Sequence, residues 1–385
     1  MISVLVVGLN CRPVATAAKK AGLRVGLVDF FGDIDLKGNV DTIYQVDEGG
    51  NPITSIKNYS PELLVEKAKM AVEDFHPDGL LLTSEIGCNP KYVRMLEGLC
   101  PIFGNGYEEV SRVRDWTELF GRLDEMHIPH PSNYVIRSKR ELERITSNLD
   151  FPMVTKPIKG SSGCGVKLVE GLDGVLAQLR EYGEILLQEY VQGINASVSV
   201  ISSNKGSRAV SLNEQLLGLS ELNCAQFKYC GNIVPLENSL RAEAFSISER
   251  ICNEFGLRGS NGIDFVLAEK PYVIEVNPRF QDTQDCIQRA YGVNLVNMHL
   301  DAIEGRGIEA VNTSGGYWCK GILFSGRDCT VGDLKKVGDI ADIPKEGSRI
   351  PAQNPVCSVF SSGLSRDKGF YGMIDKVQRI KALLR

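Results

Sequence analysis

Gly262-Ile263-Asp264-Phe265, followed by Glu275-Val276-Asn277-Pro278-Arg279, is the stretch on which the fold turns. Between the two segments lie apolar runs of β type, Val266-Leu267-Ala268 and Tyr272-Val273-Ile274, joined by Glu269-Lys270-Pro271. That pattern predicts an antiparallel hairpin. Residues two apart on a strand share a face, so Glu275 and Asn277 project together. Pairing the strands outward from the turn is expected to bring Asp264 to join them. Two carboxylates and a carboxamide oxygen are hard donors that suit Mg²⁺ shared with phosphates, which makes Asp264, Glu275 and Asn277 candidate metal ligands. Acids beside a turn also occur at the rim of an ordinary sheet. The hairpin alone leaves both readings open.

The sequence upstream separates them. Phe151-Pro152-Met153-Val154-Thr155-Lys156-Pro157 reads as a short strand with a lysine near its end, running into Lys159-Gly160-Ser161-Ser162-Gly163-Cys164-Gly165. Glycines and serines at this density make a loop whose backbone N–H groups can approach phosphate oxygens, although a glycine-rich hairpin turn reads the same way. It is not a Walker loop, because no Gly-Lys-Ser/Thr follows at the required spacing. Ile185-Leu186-Leu187-Gln188-Glu189-Tyr190-Val191-Gln192-Gly193 is an apolar strand broken by a glycine, and Ala196 to Ile201 alternates as a half-buried strand.

The order of these motifs, from about Gly104 to His299, resembles the ATP-grasp superfamily. The resemblance implies two α+β lobes clamping ATP, with a flexible lobe at about 133–192. It implies cofactors ATP and Mg²⁺, with Mn²⁺ as a substitute, and phosphorylation of a substrate carboxylate. By the same resemblance Lys156 reaches the α- and β-phosphates, and Gly160, Ser161, Ser162 and Gly163 close as a flap. Gln188, Glu189, Tyr190 and Val191 line the adenine. Arg279 neutralises the transferring phosphoryl group, so Arg279 and Lys156 stand as the catalytic cations. Two positions depart from the superfamily pattern. Arg114 stands in the region of an early lysine, and the two cations are not interchangeable. Asn195 replaces an acid that holds the ribose.

Composition fits a globular protein: 385 residues, 43% hydrophobic, 24% charged and a net charge of −5. That charge leaves no basic stripe for nucleic acid. No signal pattern or 18-residue apolar run is readable, so no membrane partner and a cytoplasmic location are expected. Eleven cysteines without a Cys-x-x-Cys pair, and four histidines, argue for scattered free thiols in a reducing compartment rather than zinc.

The expected fold class is α/β plus α+β. Residues 1–105 read as a Rossmann-like domain preceding the ATP-grasp domain of residues 106–305. Residues 306–385 read as a small β-rich segment capping the sheet. Ile2 to Val7 and Leu23 to Asp29 are strands around a helix from Val14, with Gly8 alone where a dinucleotide fingerprint needs three glycines. Polar groups at such strand ends often line clefts, so Arg12 and Glu85 are candidate substrate contacts, against a plain loop role. The tail carries Trp318 to Phe324, Val356 to Phe360 and a helix from Gly372 to Leu384, with Lys320 read as a surface residue in preference to one pointing toward the cleft.

Asp29 to Asp35, Glu275 to Gln281 and Asp342-Ile343-Pro344 further resemble archaeal and methylotroph carboligases related to biotin carboxylase. That resemblance implies a place in one-carbon metabolism, such as coenzyme assembly. Biotin carboxylases carry a bicarbonate-activating glutamate after the metal-site arginine. Here Thr283 stands at that position, and Asp282 is expected to face away. The favoured reading is therefore an ATP-dependent carboxylate–amine ligase working through an acyl phosphate. Its partners are a small-molecule carboxylate and an amine; similar proteins are commonly homodimers, and the sequence leaves the oligomeric state open. Carboxylation, a small-molecule kinase and a non-catalytic ATP sensor are the alternatives.

Overall fold

The computed structural model describes residues 1–46, 56, 59–158, 160, 163–309, 311–312 and 315–385. Ser161 and Ser162 lie outside the described residues. Four parallel strands open the chain: β1 (Ser3–Gly8), β2 (Arg24–Asp29), β3 (Thr42–Gln45) and β4 (Gly79–Leu82), in the order β3-β2-β1-β4. Val4, Leu5, Val6 and Val7 are all buried, because helices cover both faces of a parallel sheet and leave no wet side to alternate toward. Val14, Ala15 and Ala18 of the helix Arg12–Lys20 pack on one face, and Leu64, Ala68 and Ala71 of Pro61–Phe75 on the other.

A small antiparallel sheet follows, built from β5 (Asn133–Ile136), β6 (Met153–Pro157), β7 (Lys167–Val169) and β8 (Ile185–Glu189) in the order β5-β8-β6-β7. The helices Lys139–Ile145 and Leu172–Tyr182 bury Leu142, Val175 and Leu179 against its Met153, Ile185 and Leu187. Its other face carries Lys156 and Gln188 toward a cleft.

The largest sheet has eight strands. Five come from the middle of the chain: β9 (Ile194–Ser203), β10 (Gly206–Leu217), β11 (Tyr229–Val234), β12 (Gly259–Leu267) and β13 (Pro271–Asn277). β14 (Tyr317–Phe324) pairs with the open side of β11, and the order is completed by β18 (Pro355–Gly363) and β16 (Ile340–Ala341). β15 (Cys329–Thr330) and β17 (Arg349–Ile350) form a separate ribbon. The C-terminal strands thus continue the sheet sideways, since an unpaired β11 would present a row of open N–H and C=O groups. The last helix runs Arg366–Lys381, starting earlier than its apolar pattern suggests because the Ser365 side chain caps the Lys368 N–H.

Alternation divides this sheet into two faces. Val198, Leu212, Ile263 and Val276 pack on Ala244, Ile247 and Ile251 of the helix Arg241–Glu254. The opposite face carries a polar row, described below. Lys320 belongs to that row and is 0% exposed. The surface reading of this lysine is therefore corrected: β14 is an interior strand, and Lys320 points inward, where Asp282 and Asp285 receive its charge.

Candidate functional site

A cavity of about 780 Å³ lies between the small sheet and the polar face of the large one. Its floor is the hairpin. From the turn outward Leu267 pairs with Pro271, Val266 with Tyr272 and Phe265 with Val273. Continued without a break, that register would set Asp264 opposite Ile274 and leave Glu275 on the other face. A β-bulge at Ile274 shifts the pairing by one residue, so that Asp264 faces Glu275 and Gly262 faces Asn277. The three oxygen-bearing side chains share a face because of this extra residue, not because of the turn register.

Asp264 is held on several sides. Gln215 Nε2 donates to its Oδ1 at 3.0 Å, Asn277 Nδ2 to its Oδ2 at 3.1 Å and Gln281 Nε2 to its Oδ1 at 3.4 Å. Gln281 crosses directly over Gly262, where a Cβ would come within 1.7 Å of its carboxamide carbon. Burial, and then repulsion from Glu275, push the Asp264 carboxyl up to about 7. For Glu275, burial alone would raise the pKa, but the charge and hydrogen bond of Arg114, aided by Lys156 and Arg279, bring it below the usual carboxylate range. Two adjacent half-buried carboxylates with a carboxamide beside them form a site that a hard cation would relieve. Among the described residues no cluster of three or more His, Cys, Asp or Glu side chains could hold a metal by itself. That donor set fits Mg²⁺ completed by phosphate and water rather than an all-protein cage.

The cations face this pair. Arg114 ends the helix Tyr107–Arg114 and is in ion-pair contact with Glu275. Arg279 donates from Nε to Cys88 Sγ at 3.1 Å and from Nη2 to Asn277 Oδ1 at 3.4 Å. Lys156 Nζ donates to Gln188 Oε1 at 2.8 Å, and burial lowers its pKa to about 8 against the pull of Glu275 and Asp264. Because the ammonium must find an oxygen, this contact fixes the Gln188 amide. Its Nε2 is left buried without a hydrogen-bond partner, a donor awaiting an acceptor. Glu189, Tyr190, Val191 and Asn195 continue the wall past Gln188, and Gly160 and Gly163 border the rim. Gly163 has φ +75°, and a Cβ there would stand 2.0 Å from the Phe227 carbonyl oxygen.

The two candidate substrate contacts part company. Glu85 lines the cleft, following Ser84 at φ 56°, ψ −153°, a conformation costly for a residue with a side chain. Arg12 does not line it. Its Nε lies 2.6 Å from Asp342 Oδ1 and its Nη2 2.6 Å from Asp285 Oδ2, with 6% of the residue exposed. The reason lies in the neighbouring motifs. Asp35 accepts hydrogen bonds from the backbone N–H groups of Asp342 and Ile343, and this clasp brings Asp342 onto Arg12. Asp282 was expected to face away, yet both Asp282 and Thr283 line the cleft, because the chain bends there into the helix Gln284–Tyr291. Cys88, Gln215, Tyr229 and Gln281 also line it. Gln281 follows Arg279 and was within reach of a motif reading. Gln215 and Tyr229 carry no local signal, since sheet pairing alone brings them to the cleft.

Residues 113–283 match the family model described as an ATP-grasp domain. The chain is 26% identical over 365 residues to an uncharacterised protein of Methanocaldococcus jannaschii, covering 94% of this chain and 88% of that one. It is 24% identical over 225 residues to the arginine-specific carbamoyl phosphate synthase large chain of Geobacillus stearothermophilus, which is 56% of this chain and 21% of the relative. Among solved structures, biotin carboxylase of Campylobacter jejuni superposes with a TM-score of 0.76 at 14% identity, over 100% of this chain and 91% of that one. The L-amino acid ligase of Bacillus licheniformis gives 0.71 at 15% identity, over 100% and 98%. Matched by the family model and laid out around a cleft of this kind, residues 113–283 are an ATP-grasp domain.

Proposed function

We propose that the protein uses ATP to activate a substrate carboxylate and joins it to an amine, releasing ADP and phosphate. The observation that carries this reading is the meeting of Lys156, Arg114 and Arg279 with the Asp264–Glu275 pair in one cleft. Such an array positions phosphates and neutralises charge, which is most of what phosphoryl transfer requires. Lys156 and the backbone around Gly160 and Gly163 hold the phosphates, and Gln188 to Val191 with Asn195 hold the nucleoside. Mg²⁺, or Mn²⁺ in its place, taken up by Asp264, Glu275 and the Asn277 carboxamide, supplies charge neutralisation at the phosphate oxygens when bound.

A carboxylate oxygen, oriented by Arg279, attacks the γ-phosphorus, and the bond to the ADP oxygen breaks. The amine lone pair then attacks the acyl carbon, and phosphate leaves with the electron pair of the C–O bond. Closure of the flap over the cleft excludes the water that would otherwise hydrolyse the acyl phosphate. Assembly of a coenzyme for one-carbon metabolism and a homodimeric state belong to the same reading.

Carboxylation is the second reading, favoured by the biotin carboxylase superposition. Against it, Thr283 stands where the activating glutamate is expected, and its hydroxyl lies 3.3 Å from Ser199 Oγ. A hydroxyl in that bond is no base for bicarbonate. The deciding experiment measures ADP and phosphate release with Mg·ATP against amino acids, diamines and pterin or furan acids, with hydroxylamine present to trap acyl phosphate. Acid-dependent release with a hydroxamate is expected. Release that follows bicarbonate without a hydroxamate would replace this reading with carboxylation. A stable phosphorylated product formed without any amine would indicate a kinase. Tight ATP binding with no release would indicate a sensor.

A further inference from the structure

Gln281, Tyr229, Asp282 and Thr283 line the same cleft as the paired carboxylates. Beneath them lies the polar row of the large sheet. Strand register sets Asp264 beside Ser197, Ser197 beside Asn213, Gln215 beside Asn232 and Asn232 beside Lys320. Lys320 Nζ donates to Asp282 Oδ1 at 2.6 Å and to Asp285 Oδ2 at 3.2 Å. Asp285 is in turn held by Arg12, and Arg12 by Asp342. Charge therefore alternates inward from the clasp: Asp342, Arg12, Asp285, Lys320, Asp282. The series holds more carboxylates than cations, and one of its end carboxylates, Asp282, stands at the cleft. The Asp282 side chain is 31% exposed; its Oδ1 is the oxygen held by Lys320, and its Oδ2 is itself buried without a hydrogen-bond partner. The carboxamide oxygens of Asn213 and Asn232, both on residues 0% exposed, also lack donors. Asn232 Nδ2 donates to the Tyr229 hydroxyl at 2.7 Å, so the hydroxyl that borders the cleft is fixed from below.

A carboxylate in the cleft wall, backed by a series with excess negative charge, suits a donor that is also a cation. We infer that Asp282 receives the ammonium group of the amine substrate in the wall of the cleft, with Tyr229 beside it. This inference rests on the ligase reading above. The arrangement sorts the two substrates by charge: Arg279 and Lys156 attract the acid, and Asp282 repels it. The incoming ammonium yields one proton to Asp282, and the freed lone pair attacks the acyl carbon while the C–O bond to phosphate breaks. A second proton leaves with the phosphate as HPO₄²⁻, so acyl phosphate and ammonium give amide, HPO₄²⁻ and one proton. Lys320 is a positioning residue. It holds Asp282 Oδ1 and so fixes the carboxylate in the wall of the cleft.

The test uses the full-length protein, Mg·ATP and an acid that supports hydroxamate formation. Four probes, ammonium, methylammonium, glycine and 1,4-diaminobutane, are each assayed as nucleophile and as competitor of hydroxylamine, which is mostly uncharged at pH 7.5. Losing a charged hydrogen bond is worth roughly ten- to hundred-fold, so Asp282→Asn should raise the KM or inhibition constant of the reacting or competing amine by that factor. Hydroxamate formation should fall far less, and Asp282→Glu should recover part of the loss. Thermal stabilisation by Mg·ATP checks that each variant folds. Equal losses with hydroxylamine and the amines, or a larger rise in the acid's KM, would overturn the assignment. So would the failure of all four probes to react or compete with the unaltered protein. A protein that forms no hydroxamate with any acid would instead remove the ligase reading itself, and this inference with it.

Discussion

Glu275 shows how much one side chain can be asked to do. It sits opposite Asp264, contacts Arg114 and is ionised by the cations around it. Glu275→Ala should abolish ATP turnover while far-ultraviolet circular dichroism stays native, because the cleft loses a carboxylate and the sheet loses no apolar packing. Turnover near that of the unaltered protein would remove Glu275 from the metal set. Gly262 illustrates the opposite case, a residue that acts by what it lacks. Gln281 passes over it to reach Asp264. Gly262→Ala should cost about 1–3 kcal/mol by forcing that side chain aside, read as a lower denaturant midpoint together with weaker metal dependence of turnover.

At the scale of elements, His299 ties a helix to two other parts of the chain. It lies on Leu295–Ile303 and is buried. Nδ1 accepts from the Ser260 N–H at 2.8 Å, and Nε2 lies 2.8 Å from the Phe103 carbonyl oxygen, which requires the neutral ring with its proton on Nε2. Burial lowers its pKa from 6.5 to about 4. Between those values the unfolded chain binds a proton that the folded one does not, so stability contributed by this ring is fully present above 6.5. It is lost as pH falls toward 4, by up to about 3 kcal/mol. Urea unfolding from pH 8 to pH 4.5 should show this slope, and His299→Gln should flatten it. An unchanged slope in the variant would assign the acid sensitivity to other groups.

At the scale of the whole molecule, Arg12 joins the first helix, Arg12–Lys20, to the helix Gln284–Tyr291 and to the chain after β16. Removing one partner of a buried ion pair leaves the others uncompensated, at about 3–5 kcal/mol. Arg12→Met should therefore lower the denaturant midpoint sharply and also weaken turnover, since Asp285 and Lys320 would lose their register beneath the cleft. A variant with normal stability would show that the clasp of Asp35 on residues 342 and 343 suffices alone. Among the described residues no helix is long and apolar enough to cross a membrane.

The sequence by itself determined the kinds of group in the cleft and their order along the chain. A carboxylate, a carboxamide and a cation within a few residues on a strand constrain one another locally, because side-chain direction alternates with period two. The strand that carries Lys156, the parallel start of the chain and the hairpin were legible for the same reason. What only the tertiary structure decided was register and depth. The bulge at Ile274 swings Glu275 to the face of Asp264, and no residue type announces it. Lys320 is buried because β14 has neighbours on both sides, and Arg12 is sequestered because Asp342 is brought to it from 330 residues away. Those positions depend on strand pairing and charge pairing between distant segments, whose energies are settled only when the whole chain has closed around them.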